Sequence, residues 1–519
     1  MLNSIYILFL SRKIFREGKK MSKIVENKFS EKSCLSVSEL ARNKFSNIEK
    51  WINSDEAKLM GLRDVELEEE IRGRELLRLL LQSNIDGRGT GDAGPAIQVS
   101  DNISLIEAIL YPHKRLHTRN FETIYGKIYV RRFGYGKDKK VSIHPLDEIL
   151  ELPVRTYSYE IQRRLVKKVI QGPFDEAIDA LYEATGVKIP KRSAEEILID
   201  ASHDFNNFYS QRQGAVKDSE VSILIGSVDC KGIPMVKSEL SIPKVRRKKG
   251  EKAQKKKMAT VAAVFTQNPY IRTPEDVIKS IFDSEKESNK KQDKHSRPEN
   301  KRVWASLTAG KDAFISDVNE EMKRRDPQNM KQHVVVTDGE RALQRRVAYF
   351  IKNIILILDF LHVLEKLWVV GHALYGEESS EAEVFVKERA LRILRGKVSQ
   401  VVKGLRQIVT KRNLKGTKRD NLLDIANYFY RNRFRMCYDE YLSKGLPIAS
   451  GAVEGACKNL IKDRMERSGM RWTVRTAEAM VKMRATYLSG DFEEYWDYHV
   501  SQEQARLYPK NRWKPGVLK

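Results

Sequence analysis

The sequence predicts a mixed α/β (α+β) chain built on one five-stranded mixed sheet, from three observations. Apolar runs at 221–228, 233–240 and 258–267 read as strands joined by short connections, an antiparallel meander. His333-Val334-Val335-Val336-Thr337, a helical stretch to Phe350 and the apolar run 354–358 read as strand, helix, strand, a parallel pair with its crossover. Residues 361–440 keep a helical pattern with no strand-like alternation.

Composition sets the frame for these elements. A chain of 519 residues allows about three domains, and 41% hydrophobic with 32% charged residues excludes wholesale disorder. Lys+Arg 95 against Asp+Glu 70 gives +25, a balance suited to a polyanionic partner, nucleic acid ahead of an anionic membrane. The apolar run 5–10 is far short of the roughly 20 residues a spanning helix needs. It also lacks the flanks of a signal peptide, so no membrane partner is expected and Met21 is an alternative start. Cys34, Cys230, Cys437 and Cys457 are too dispersed for a disulfide framework or a zinc knuckle. A reducing, cytoplasmic setting follows.

In chain order, 1–34 reads as an irregular extension and 35–110 as a helical N-terminal region, with Leu76, Leu77, Leu79, Leu80 and Leu81 before a break at Asp86-Gly87. A strand-containing unit, 111–157, is marked by the alternation of Ile124, Ile128 and Val130 with polar residues over 121–133. In 158–215, Pro173 opens one helix, Thr185-Gly186 closes it, and Ser193 is positioned to cap the next. That outline fits a helix-turn-helix DNA-binding region or an ordinary αα-hairpin. The sheet then occupies 216–360, an all-helical insertion 361–445, and closing helices with the tail 446–519. The segment 283–302, charged and poor in apolar residues, reads as a flexible loop.

Three strands run into acids: Asp229, Asp338 and Asp359. Ligands of α/β sheets gather at the carboxyl ends of parallel strands, so adjacent strands would make Asp229 and Asp338 converge. Hard oxygen donors suit Mg²⁺ or Mn²⁺, and two ions about 3.5–4 Å apart serve phosphodiester chemistry. Glu454, on the helix opened by Ser450-Gly451, is the third candidate carboxylate. Taken singly, a strand-end Asp is usually a turn or cap residue and Glu454 a first-turn acid favoured by the helix dipole. Together, in a basic chain, they match the ribonuclease H-like plan for phosphoryl transfer on nucleic acids. The run 244–257 holds nine Lys/Arg and one Glu. It reads as a solvated loop or, beside such a site, as a phosphate contact that makes binding fall with salt. Lys231, Lys244, Arg246, Arg247, Lys248, Lys249, Lys255, Lys256, Lys257, Lys458 and Lys462 are the candidate DNA-binding cations. Trp304 and Trp472 read as core aromatics, or as surfaces for frayed bases.

The blocks SVDCKGIPMVK (227–237), KKKMATVAAVFTQNPYIRTPEDVI (255–278), ENKRVWASL (299–307), VVVTDGERAL (334–343), LDFLHVLEKLW (358–368) and LPIASGAVEGACKNLIKDRMERSGMRW (446–472) resemble, in this order, the DDE transposases of bacterial insertion sequences, most closely the ISKra family. LLQSNIDGRGTGD (80–92) and IYGKIYVRR (124–132) extend the likeness over most of the chain. The resemblance implies an RNase H-like catalytic core with Asp229, Asp338 and Glu454 as catalytic, metal-binding triad. It implies an enzyme that binds terminal inverted repeats and joins 3′-hydroxyl ends to target DNA with two Mg²⁺ or Mn²⁺ ions, as at least a dimer. Asp359 and His362 resemble a (Cys/Asp)-x-x-His motif of related transposases and would support the site; a strand-end Asp and a buried His are the plain alternative. Cys230 departs from the family's Asp-Gly-Lys-Gly. A nuclease that cuts without joining, or a DNA-binding descendant without catalysis, are the competing functions.

Overall fold

The computed structural model describes residues 36–99, 109–212, 223–239, 255–282, 298–467, 469–509 and 512–516. The extension 1–34, Lys244, Arg246, Arg247, Lys248 and Lys249, and the loop reading for 283–297 lie outside them. Among the described residues no helix is long and apolar enough to cross a membrane. The chain divides into two compact units: one of residues 1–158, 185–187 and 507–519, the other of 159–184 and 188–506.

The first unit opens with the helices Val37–Ile52, Asp55–Leu59 and Leu62–Gly87. Ser36 caps the first by a reciprocal bond with Glu39. A two-stranded ladder pairs β3 (His113–Thr123) with β4 (Gly126–Gly136). The 121–133 alternation is therefore two strands: Ile124-Tyr125 is the turn between them, completed by Gly126 at φ +113. Gln82 ties the long helix to this hairpin by accepting from Tyr129 N–H and donating to its carbonyl, both at 2.8 Å. β1 (Ala96–Val99) lies between β2 (Ile109–Tyr111) and β10 (Trp513–Gly516), both antiparallel to it. The C-terminal tail thus belongs here; no pattern inside four residues shows so distant a strand partner.

The second unit holds the predicted five-stranded mixed sheet, in the order β7 (Glu299–Ser306), β6 (Lys256–Gln267), β5 (Ile223–Pro234), β8 (Gln332–Thr337), β9 (Ile355–Leu358). β5, β6 and β7 are antiparallel neighbours, while β8 runs parallel to β5 and β9 to β8. Two expectations are corrected. The runs 221–228 and 233–240 are not two strands joined by a connection: β5 runs straight through Gly232, because β6 offers partners from Ile223↔Gln267 to Pro234↔Lys256. The third strand of the meander is β7, which occupies the end of the segment read as a loop. Its Arg302 is buried in an ion pair with Glu321, so charge there does not mark exposure.

Sheet residues Ile223, Ile225, Val334, Val336 and Ile357 share one core with Leu367, Phe385, Val402, Leu405 and Phe429 of the helices that follow. The helical insertion therefore seals one face of the sheet. The helices Phe174–Thr185 and Lys191–Ala201 are joined through Gly186; the second starts after Pro190, so Ser193 lies inside it and caps nothing. Ala194, Ile197, Leu198 and Ala201 are buried, and Tyr495 donates to the Ala201 carbonyl. Trp304 and Trp472 are core residues, 4% and 5% exposed, and Trp472 Nε1 donates to the Met465 carbonyl at 3.0 Å.

Candidate active site

Register places three acids in a row. The last paired residues of β5 and β8 are Val228↔Thr337, and those of β8 and β9 are Thr337↔Leu358. The next residue on each strand is Asp229, Asp338 and Asp359. Adjacent strands lie about 4.8 Å apart, so the acids stand side by side at the carboxyl edge of the parallel trio. Asp359 N–H still donates to the Thr337 carbonyl at 2.9 Å, which carries the ladder up to the row.

Each carboxylate is held differently. Asp229 Oδ1 accepts from the Cys230 N–H at 2.6 Å, and Oδ2 from Cys457 Sγ at 3.2 Å. Asp338 Oδ1 accepts from the Glu340 N–H at 2.9 Å across Gly339, whose φ of +89 only glycine adopts without strain. A Cβ there would also strike the Tyr428 hydroxyl, which donates to the Asp338 carbonyl at 2.8 Å. Asp359 is fully buried. Its Oδ1 caps the helix Phe360–Tyr375 by accepting from Leu361 N–H at 2.8 Å, and Oδ2 accepts from the backbone and the hydroxyl of Ser450. That clamp fixes the start of the helix Gly451–Ala456, which continues through a π-helical turn, Cys457–Lys462, into Asp463–Met465. Such turns are frequent at functional sites.

Glu454 is half-buried on that helix; its N–H donates to the Ser450 carbonyl at 3.0 Å, while its carboxylate has no hydrogen-bond partner among the described residues. Burial, then the charges of Asp359, Glu365 and Asp229, push its carboxyl above the ordinary range against the opposing His362. Burial and Asp229 do the same to Asp338, against the Glu340 N–H and His362. His362 is raised too: burial opposes its charge, but Asp359, Glu365 and Asp338 together outweigh it, and its Nδ1 meets Glu365 Oε2 at 3.1 Å. The Asp229 charge thus acts on both Asp338 and Glu454. Their closest convergence differs from the expected meeting of those three. Among the described residues, the acids and histidine whose donor atoms lie within 4.8 Å of one another are Asp359, His362 and Glu454. The reason is the Ser450 clamp, which draws Glu454 toward the β9 end of the row, while Cys457, one turn later, reaches Asp229. Both Asp359 oxygens accept bonds from the chain, which ties the start of the helix Phe360–Tyr375 to Ser450, the residue before the Glu454 helix.

Carboxyls with raised pKa favour their protonated form, so their contribution to folding is present at low pH and is lost as pH rises through the folded-state pKa. In EDTA at neutral pH, Asp338→Asn is therefore expected to melt about 2 °C above the wild type, with the gap closing at pH 4. Unchanged melting at both pH values would show that the row carries no repulsion.

Of the candidate DNA contacts, Lys231 is half-buried two residues past Asp229, on the same side of β5. Lys255, Lys458 and Lys462 are exposed and Lys257 half-buried. Lys256 is paired with Glu466 at 2.6 Å. Cys457, Ser450 and Tyr428 are site residues that the sequence reading missed. Cys457 had a signal in its three-residue spacing from Glu454; Tyr428 had none.

No family model matches the chain, and no curated protein matches it. Among solved structures, the Drosophila P element transposase strand transfer complex is similar over 67% of this chain and 84% of that chain, at 10% identity and a TM-score of 0.21. A score so low does not fix the fold.

Proposed function

We propose that the chain is a DDE-type DNA transposase of the ISKra family with an RNase H-like core, acting on insertion-sequence ends. The observation that carries this reading is the register that aligns Asp229, Asp338 and Asp359 at one sheet edge, with Glu454 brought onto it by a clamped helix. The sheet order, an antiparallel meander extended by two parallel strands, supports the RNase H-like assignment. The donor set also fits the expected cofactor: oxygen ligands with raised pKa and an unpartnered Glu454 suit a hard divalent cation. Asp229 and Asp338 would hold Mg²⁺ or Mn²⁺, with Glu454 completing one ligand sphere. When bound, two such ions lower the pKa of the attacking hydroxyl and neutralise the leaving oxygen.

The chain's own residues do the rest by positioning and charge. Asp359 and Ser450 fix the Glu454 helix. His362, inclined to its charged form by the surrounding acids, faces them as a donor for a non-bridging phosphate oxygen. Lys231, Lys255, Lys257, Lys458 and Lys462 neutralise the DNA backbone near the edge. In the joining step the element's 3′-oxygen bonds to a target phosphorus as the opposite P–O bond breaks, and the target's 3′-oxygen leaves with the proton.

The test is a strand-transfer assay with a pre-cut inverted-repeat duplex, supercoiled target and Mg²⁺. Joined product is expected. Cutting without joining would make the protein a nuclease, and DNA binding alone a non-catalytic descendant. His362→Ala should lower the joining rate roughly 10-fold or more, the loss of one hydrogen bond to a charged oxygen; a full rate would remove His362 from the site.

A further inference from the structure

The helical insertion carries a charge pattern that the catalytic edge does not use. Residues 395–435 hold twelve Lys/Arg and two acids, Asp420 and Asp424. The helix Val398–Lys411 buries Val398, Val401, Val402, Leu405 and Val409, which turns Lys403, Arg406 and Lys411 outward. Between it and the helix Gly416–Asn432 lies an open groove of about 450 Å³ lined by Ser399, Lys403, Arg406, Gln407, Lys411 and Tyr430, among others. Lys403 and Lys411 have no acidic partner among the described residues.

The arginines of this surface are held in place by aromatic rings. Arg406 lies 5.5 Å from the Tyr430 ring and donates to Asn427 Oδ1 at 3.0 Å. Arg433 stands 4.2 Å from the Tyr430 ring and 4.1 Å from that of Phe434, and donates to the Tyr430 carbonyl at 2.7 Å. Unpaired lysines with arginines stacked on aromatic faces make a preorganised phosphate surface. Tyr428, bonded to the Asp338 carbonyl, and Tyr430, lining the groove, are two residues apart on one helix and so on opposite faces. The groove is thus separated from the acidic edge by about the width of a helix, 10–12 Å.

We infer that this groove is a second DNA-binding surface, which grips the phosphate backbone of duplex outside the scissile position through Lys403, Arg406 and Lys411, with Tyr430 holding Arg406 and Arg433 in register. It rests on the proposed function only for the identity of the polyanion, and its test is independent of catalysis.

The experiment measures affinity of the full chain for a labelled random-sequence duplex in EDTA between 50 and 200 mM salt. The double variant Lys403→Ala, Lys411→Ala should lose about 2 from the slope of log K against log salt, with unchanged melting. A control that removes the same charge elsewhere, Lys323→Ala with Lys352→Ala, should leave the slope within about 0.5. Tyr430→Ala should weaken binding several-fold. Equal slopes for wild type and groove variant would overturn the inference, as would competition by polyglutamate as effective, per charge, as by DNA. Failure of strand transfer with the slope change intact would reject the catalytic reading and leave the groove standing.

Discussion

Asp338→Asn is expected to leave the chain folded and bound to DNA while strand transfer falls at least about 10³-fold, the scale on which a preorganised charged group acts on a developing oxyanion. Asp338 is the middle member of the row, flanked by the strands of Asp229 and Asp359. Its amide replacement keeps the shape and the Glu340 N–H bond on Oδ1, so the turn at Gly339 and the Tyr428 contact persist. What is lost is one negative charge where divalent cations would be held. Asp229→Asn and Glu454→Gln should behave alike, and a double variant should lose little more than a single one, because groups that act as a unit are not additive. A single variant retaining more than a tenth of the rate would separate that acid from the chemistry.

Asp359→Ala is expected to produce the largest loss of stability from any one site residue, about 3–5 kcal/mol. Its carboxylate serves the N–H of Leu361, the N–H of Ser450 and the Ser450 hydroxyl, at a position with no solvent exposure. Truncation orphans the two buried donors of Ser450 and removes the helix cap on the half-buried Leu361 N–H. The melting temperature should drop by about 10 °C. Asp359→Asn, which keeps one acceptor oxygen, should lose roughly half as much. Because Ser450 leads into the helix of Glu454, joining should fall even at temperatures where the alanine variant is folded. A melting shift under about 2 °C would show that Asp359 does not clamp the helix.

The acids were legible in the sequence because each apolar run stops, or changes character, at an Asp, and strand periodicity fixes which residue stands at the edge. Their alignment also followed from pattern, since a strand–helix–strand unit in one sheet is parallel. The contacts that position them were not legible. Asp359 meets Ser450 across 91 residues, and nothing local to Ser450 announces a partner. Cys457 is buried with the apolar residues of its helix, yet its thiol reaches Asp229. The continuation of β5 through Gly232 depends on the length of β6, a property of the partner strand. β7 was hidden by Arg302, whose charge is neutralised in the interior by Glu321. The basic groove is hidden for the opposite reason: an exposed charged face is the ordinary complement of a buried apolar stripe such as that of Val398–Lys411.

The proposed chemistry requires divalent cations between strands β5 and β8. Anomalous diffraction from Mn²⁺-loaded crystals of the protein with a pre-cut DNA end tests it most directly. The predicted result is manganese about 2.1 Å from carboxylate oxygens of both Asp229 and Asp338, next to the 3′-terminal nucleotide. Manganese absent from that pair, with the 3′ end lying elsewhere on the protein, would contradict it.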